Sequence, residues 1–145
     1  TFNTGLPYIS SKENIINRGE IGIQGSRPAE VIKLWLGLRF LGLNGIENIL
    51  ESSIKKKDYF IKNICKNKFD IYSGPLHIVS FRPCGLLSDQ LVTWTADTRQ
   101  KLLRQGIMLS RPFYQDQYYL KAVFGNPHTD ERLIIQLAQQ LLASI

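Results

Sequence analysis

Few residues of this 145-residue chain have a type and spacing suited to catalysis or metal binding. His77 lies in the alternating run LHIVSF, where a structural histidine is favoured over a general base, and His128 lies in a turn where it can equally be an exposed loop residue. Cys65 and Cys84 are nineteen positions apart. Neither has a close Cys or His partner, which indicates no metal site and no disulfide framework. The chain has no phosphate-binding glycine loop and no nucleophile elbow. The residues by themselves therefore predict no catalytic centre.

The net charge of +6 raises the question of nucleic-acid binding. Most of the excess lies in the run IKKKDYFIKNICKNK, residues 54–68, where Ile54, Phe60, Ile61 and Ile64 recur at helical spacing. This pattern favours a solvated lysine face on an amphipathic helix over anion or nucleic-acid binding. No stretch approaches eighteen uninterrupted apolar residues, and no leader pattern opens the chain. We therefore expect a cytoplasmic protein with reduced thiols, without nucleic-acid or membrane partners.

The periodicity predicts an α+β domain with a small, mostly antiparallel sheet covered by helices. Ser26 and Pro28 suit the start of a first helix that is apolar nearly all round, so we expect it to be buried on two sides. Gly42, Asn44 and Gly45 should separate it from a second helix. The elements expected after this break are a helix over 46–66, strands over 70–72 and 76–82, a helix from 89 to the stop at 106, strands over 107–110 and 117–124, and a helix from 129.

Three regions follow from this pattern. Residues 1–26 form an irregular lead, 27–67 are connecting helices, and 68–145 are the small α+β domain. An irregular lead that runs into a two-sided apolar helix suggests that a preceding part of the protein is missing.

Three stretches of the chain resemble the group II pyridoxal-phosphate-dependent amino-acid decarboxylases. The first, over residues 22–50, contains Ser26-Arg27, the Lys33-x-Trp35 pair and a Gly42-x-x-Gly45 break. The others are IVSFRP at 78–83 and YYLKAVFGNPHT at 118–129. Together they cover nearly the whole chain in the family's order. The resemblance implies the C-terminal domain of a fold type I enzyme.

The resemblance also implies what this chain does not contain. Family members hold pyridoxal 5'-phosphate (PLP) as a Schiff base on a lysine that follows a histidine, and this sequence has no His-Lys pair. We therefore expect the C-terminal part of a homodimeric L-amino-acid α-decarboxylase, whose cofactor is bound by the parent enzyme and not covalently by this chain. The isolated chain should be inactive.

The resemblance assigns candidate roles to five residues. Tyr8 corresponds to a lid tyrosine that donates a proton after carbon dioxide leaves, although an ordinary loop tyrosine is the alternative. Gly25, Ser26 and Arg27 match a segment beside the partner's cofactor and substrate. Alternatively, Ser26 merely caps the helix and Arg27 pairs with a carboxylate. Lys121 lies where glutamate-type members have an arginine that meets the substrate carboxylate, but it can equally extend to solvent.

The competing hypothesis is a stand-alone, non-catalytic ligand-binding or dimerisation module. An N-terminal segment packed without a partner would favour such a module. An exposed apolar face on the first helix would favour a domain of a larger enzyme.

Overall fold

The computed structural model describes residues 29–145, and these residues fall into two units that are divided between Ile46 and Glu47. The described elements are α1 (Glu30–Asn63), β1 (Phe69–Ser73), β2 (Ile78–Pro83), α2 (Ser88–Arg104), β3 (Phe113–Tyr114), β4 (Gln117–Tyr118), β5 (Leu120–Val123) and α3 (Glu131–Leu142). This order confirms the predicted α+β class.

Helix α1 is interrupted once, at Gly42. Its φ of 63° and ψ of −179° are not helical, and a positive φ is readily adopted only by glycine. The predicted break is thus confirmed, but it is narrower than expected because Asn44 and Gly45 are helical. The helix then continues to Asn63, close to the predicted end.

The first part of α1, residues 30–46, is apolar and exposed. Its most exposed large side chains are Phe40 at 89% and Leu43 at 85%, and Trp35 is 58% exposed. The others are Val31, Ile32, Leu34, Leu36, Leu38 and Leu41. The expected burial on two sides is therefore wrong for this chain by itself. The physical reason is that a helix with apolar residues on every side needs covering surfaces, and within residues 29–145 these nine side chains remain at least 40% exposed.

The second unit contains a three-stranded antiparallel sheet in the order β1-β2-β5. Its side chains alternate between two faces, as the pleat requires. One face is the core, with Phe69, Val79, Phe81, Leu120 and Ala122 buried. The opposite face is polar and aromatic and is called the outer sheet face below.

Phe60 is at the centre of the core. It is fully buried, and its ring centroid lies 5.6 Å from that of Phe81 and 5.2 Å from that of Phe124. Helices α2 and α3 contribute the predicted positions Leu91, Trp94, Thr98, Leu102, Ile134, Leu137 and Leu141. Leu133, also expected to face the core, is 42% exposed.

The lysine-rich part of α1 is not entirely solvated, contrary to the sequence interpretation. Lys57 is only 7% exposed because it lies between Ser53 and Phe60 on the buried stripe. Its ammonium is 3.1 Å from the carbonyl oxygen of Gly74, to which it donates a hydrogen bond, and 3.4 Å from Asp58 Oδ1. A long side chain can cross an apolar surface in this way and still satisfy its charge.

A short β3–β4 hairpin replaces part of the predicted strand over 117–124. Arg111 attaches it to α2 by donating to Thr95 Oγ1 and to the carbonyl oxygen of Val92, each at 2.8 Å. Its guanidinium carbon also lies 3.7 Å from the Tyr118 ring centroid. The other predicted strand, 107–110, is reduced to a single antiparallel bridge between Ser110 and Lys121.

Candidate functional site

The outer sheet face brings together charged and aromatic residues from three strands. Cross-strand register pairs Asp70 with Arg82 and Ser80 with Lys121. Directly paired residues of an antiparallel sheet project to the same face, with Cβ atoms roughly 4.5–5.5 Å apart. Arg82 and Lys121 therefore project from the same face of the sheet, on neighbouring strands.

Arg82 is held on two sides. Its Nε donates to Asp70 Oδ2 at 3.1 Å, and its guanidinium carbon lies 5.6 Å from the Tyr119 ring centroid. The arginine side chain is 20% exposed, whereas that of Asp70 is 41% exposed. Tyr119 in turn meets Tyr72 edge to face at 5.5 Å. These contacts restrict the guanidinium, so its direction is set before any ligand arrives.

Lys121 is the predicted site residue that the structure describes. Its backbone amide donates to Ser110 at 2.8 Å, and its carbonyl accepts from the Ser110 amide at 3.0 Å. Ser80 is its partner on the other side. The half-buried lysine side chain is thus flanked by two serines, on a face shared with Val123, as the alternation predicts.

The remaining candidate residues, Tyr8, Gly25, Ser26 and Arg27, lie outside the described residues. Arg82 carried no role in the sequence interpretation. Its signal was available in the run IVSFRP, where a charged side chain alternates with buried ones, but only the strand pairing shows that Arg82 and Lys121 share one face of the sheet.

The two histidines form no catalytic arrangement with the described residues. His77 is half-buried, and its Nδ1 is buried without a hydrogen-bond partner among the described residues. Gly125 packs closely against the ring, since the Cβ of an alanine at this position would lie 3.2 Å from His77 Nε2. The amide of His128 donates to Asn126 Oδ1 at 2.9 Å within an exposed turn. Among residues 29–145, no group of His, Cys, Asp and Glu side chains could hold a metal ion. No helix in the same range is long and apolar enough to cross a membrane.

The thiol of Cys84 lies beside the Arg82–Asp70 pair. Its Sγ donates to Asp70 Oδ1 at 3.4 Å. Desolvation raises the pKa of Cys84, the hydrogen bond and negative charge of Asp70 raise it further, and the charge of Arg82 lowers it. The thiolate that reacts with electrophiles is consequently scarce at neutral pH.

We expect Asp70→Asn to speed alkylation of Cys84 by iodoacetamide. The substitution removes the carboxylate charge that raises the pKa of the thiol, so the pH–rate profile should move to lower pH. Peptide mapping of the alkylated chain measures the rate at each cysteine, and Cys65, which is also free, is the internal control. An unchanged Cys84 profile would show that Asp70 does not act on the thiol.

An open groove of about 830 Å³ lies elsewhere in the second unit. Its lining includes Pro83, Leu86, Trp94 and Ile145, and neither Arg82 nor Lys121 contributes to it. The groove is mostly apolar and open to solvent, although Lys68 and Asp89 also line it, whereas the outer sheet face brings Asp70, Arg82 and Lys121 together. We therefore place the candidate site on the outer sheet face.

Comparison with solved structures relates this architecture to several enzymes of similar fold. The chain matches mouse CSAD in its apo form with a TM-score of 0.69 and 18% identity, over 94% of this chain and 33% of that one. It matches Oryza sativa TDC with PLP and tryptamine with a TM-score of 0.65 and 14% identity, over 77% and 25%. No protein-family model and no curated protein matches the sequence.

A third match is the glutamate decarboxylase domain of the diaminobutyrate-pyruvate transaminase and L-2,4-diaminobutyrate decarboxylase from Vibrio parahaemolyticus. Its TM-score is 0.62 at 16% identity, over 79% of this chain and 25% of that one. In these comparisons the chain spans about a quarter to a third of the solved chains. The shared feature is the α+β fold, which was predicted from the sequence and extends over 77–94% of this chain in these matches.

Neither Lys57 nor Lys121 fits a covalently bound PLP. A Schiff base requires a lysine that can present a free amine inside a pocket. Lys57, the buried lysine of the described part, instead has its ammonium bound by the Gly74 carbonyl and near Asp58. Lys121 is half-buried on the outer sheet face and does not line the groove. A cofactor would therefore have to be held by residues other than these.

Proposed function

Since the chain has the fold of the C-terminal domain of group II PLP-dependent decarboxylases, we propose that it is the C-terminal part of an L-amino-acid α-decarboxylase. In this proposal a large domain holds PLP, and this chain contributes lid, interface and substrate-facing residues. The assembly is a cytoplasmic homodimer, and its substrate is an amino acid. The chain alone is inactive because it lacks a Schiff-base lysine.

The observation that carries the proposal is the asymmetric coverage of the structural matches. Mouse CSAD accounts for 94% of this chain, whereas this chain accounts for 33% of mouse CSAD. The chain therefore resembles one part of an enzyme, not a small protein that shares a motif with it.

The exposed apolar helix supports the same proposal. Residues 30–46 present nine large apolar side chains, each at least 40% exposed, including Trp35 and Phe40. Contiguous apolar surface of this kind marks an interaction site in a soluble protein. A large domain of the same enzyme is the occupant that the structural matches suggest, and a stand-alone module would leave this helix in water.

Lys121 is the described residue to which we assign a substrate contact. Its charge lies on the outer sheet face, flanked by Ser80 and Ser110. A lysine supplies one compact charge, not the two-pronged contact of a guanidinium. Tyr8 is proposed as the proton donor, and Gly25, Ser26 and Arg27 as the segment beside the partner's cofactor.

The test is to isolate the native protein that contains this chain with an antibody raised against residues 47–145. We expect the precipitate to release carbon dioxide from at least one L-amino acid when supplied with PLP. Borohydride reduction should attach the cofactor to a lysine outside these 145 residues, as located by peptide mapping.

The matched control is precipitation in the presence of excess recombinant chain, which should remove the activity. A precipitate that contains the chain but neither reducible PLP nor decarboxylase activity would refute the proposal. It would leave the stand-alone binding or dimerisation module.

A further inference from the structure

The outer sheet face has a positive charge that its own residues do not balance. Arg82 and Lys121 are its described cations, and Asp70 is its described carboxylate. Asp70 contacts only Nε of the guanidinium. Within residues 29–145, the two terminal nitrogens of Arg82 have no hydrogen-bond partner, and the ammonium of Lys121 has none either. One bound carboxylate would restore neutrality.

The arrangement of Arg82 is suited to recognition of a carboxylate. Asp70 occupies one edge of the guanidinium and Tyr119 lies against its face, so the edge with both terminal nitrogens is left for a ligand. Two parallel N–H donors in this geometry match the two oxygens of a carboxylate. Because existing contacts already restrict the side chain, less conformational entropy is lost on binding.

Lys121 lies diagonally from Arg82 on the neighbouring strand. Its direct partner is Ser80, two residues before Arg82. Such diagonal positions are roughly 7–8 Å apart, within reach of long side chains. The hydroxyls of Ser80 and Ser110 flank the lysine and add neutral donors. The four residues can therefore surround one anionic group.

We infer that Arg82 is a second specificity-determining residue, which binds with Lys121 the side-chain carboxylate of an acidic amino-acid substrate. The inference rests on the proposed function and extends it to a substrate class. Arg82 supplies the two-pronged contact that Lys121 cannot make. Asp70 and Tyr119 are positioning residues, because they act on the substrate only through Arg82.

The test is an NMR titration of the isotope-labelled 145-residue chain with glutarate, which carries the carboxylate without requiring PLP or turnover. We expect amide shifts centred on Ser80, Arg82, Ser110 and Lys121. Arg82→Gln and Lys121→Gln should each weaken binding by about tenfold, as expected for loss of a hydrogen bond to a charged group. Arg82→Lys should retain charge but still lose affinity.

The matched control is Lys101→Gln, which removes the same charge from an exposed position on α2. It should leave the titration unchanged. Equal weakening by Lys101→Gln, or unchanged binding by both Arg82→Gln and Lys121→Gln, would overturn the inference. The NMR spectra also show whether each variant is folded, and Lys121→Gln leaves the Arg82–Asp70 contact intact.

This result is independent of the decarboxylase test. The chain could bind glutarate through Arg82 while the native protein contains no PLP and releases no carbon dioxide. That combination would refute the proposed enzyme and support the anion site. An active decarboxylase whose chain ignores glutarate would refute the assignment of Arg82 alone.

Discussion

Replacing Phe60 with alanine is expected to lower the free energy of unfolding by about 3–5 kcal/mol. The side chain is fully buried between Phe81 and Phe124, so truncation removes apolar burial and leaves a cavity where helix and sheet meet. Urea denaturation of the 145-residue chain, followed by circular dichroism, measures the change.

Phe40→Ala is the matched control for this prediction. It makes the same truncation on the same helix, but Phe40 is 89% exposed, so the stability of the isolated chain should hardly change. Equal losses for the two variants would show that Phe60 does not anchor the core.

In the proposed decarboxylase, replacing Tyr8 with phenylalanine is expected to reduce turnover by about 10²–10⁴-fold. The substitution removes one hydroxyl, which is the proposed proton donor to the carbon that loses carbon dioxide. Cofactor absorbance should be unchanged because the ring remains and, in the proposed function, a large domain binds the cofactor. Single-turnover kinetics and absorbance spectra of the same samples provide both measurements.

Tyr114→Phe is the control, since it removes a hydroxyl from a tyrosine that is 65% exposed on the β3–β4 hairpin. It should leave turnover unaltered. If Tyr8→Phe retains the full rate, Tyr8 does not correspond to the family's lid tyrosine and is an ordinary loop residue. That result would not contradict the structural similarity to the solved decarboxylases.

Local sequence signals predicted most of the elements. The positions Leu91, Trp94, Thr98 and Leu102 recur at helical spacing, and they form the buried face of α2. Gly42 and Gly106 were expected to interrupt or stop helices, and both have positive φ values. These features are local, because periodicity and glycine conformation depend on neighbouring residues in the chain. The family motifs likewise predicted the fold that the solved enzymes share.

Features that depend on long-range contacts were predicted less well. The sequence interpretation places Lys57 in solvent because a lysine side chain is charged, although its helical position lies on the buried stripe. The Gly74 carbonyl accepts a hydrogen bond from its ammonium and so allows the side chain to be buried. The β3–β4 hairpin was missed because its turn residues, Gln115 and Asp116, have positive φ values without the usual glycine. Arg111 attaches that hairpin to α2, a contact between residues sixteen or more positions apart.

The candidate site shows the same difference between local features and features that depend on long-range contacts. The sequence by itself predicted an α+β domain with the fold that the solved decarboxylases share, and it indicated Lys121 as a candidate site residue through a family motif. Only the tertiary structure decided that Arg82 belongs beside it. Strand register pairs Lys121 with Ser80 and so places it diagonally from Arg82, 39 positions away in the chain, and no local pattern specifies which strands will pair. The exposure of the first helix is also a tertiary fact, because apolar periodicity shows that a surface must be covered but not which surface covers it.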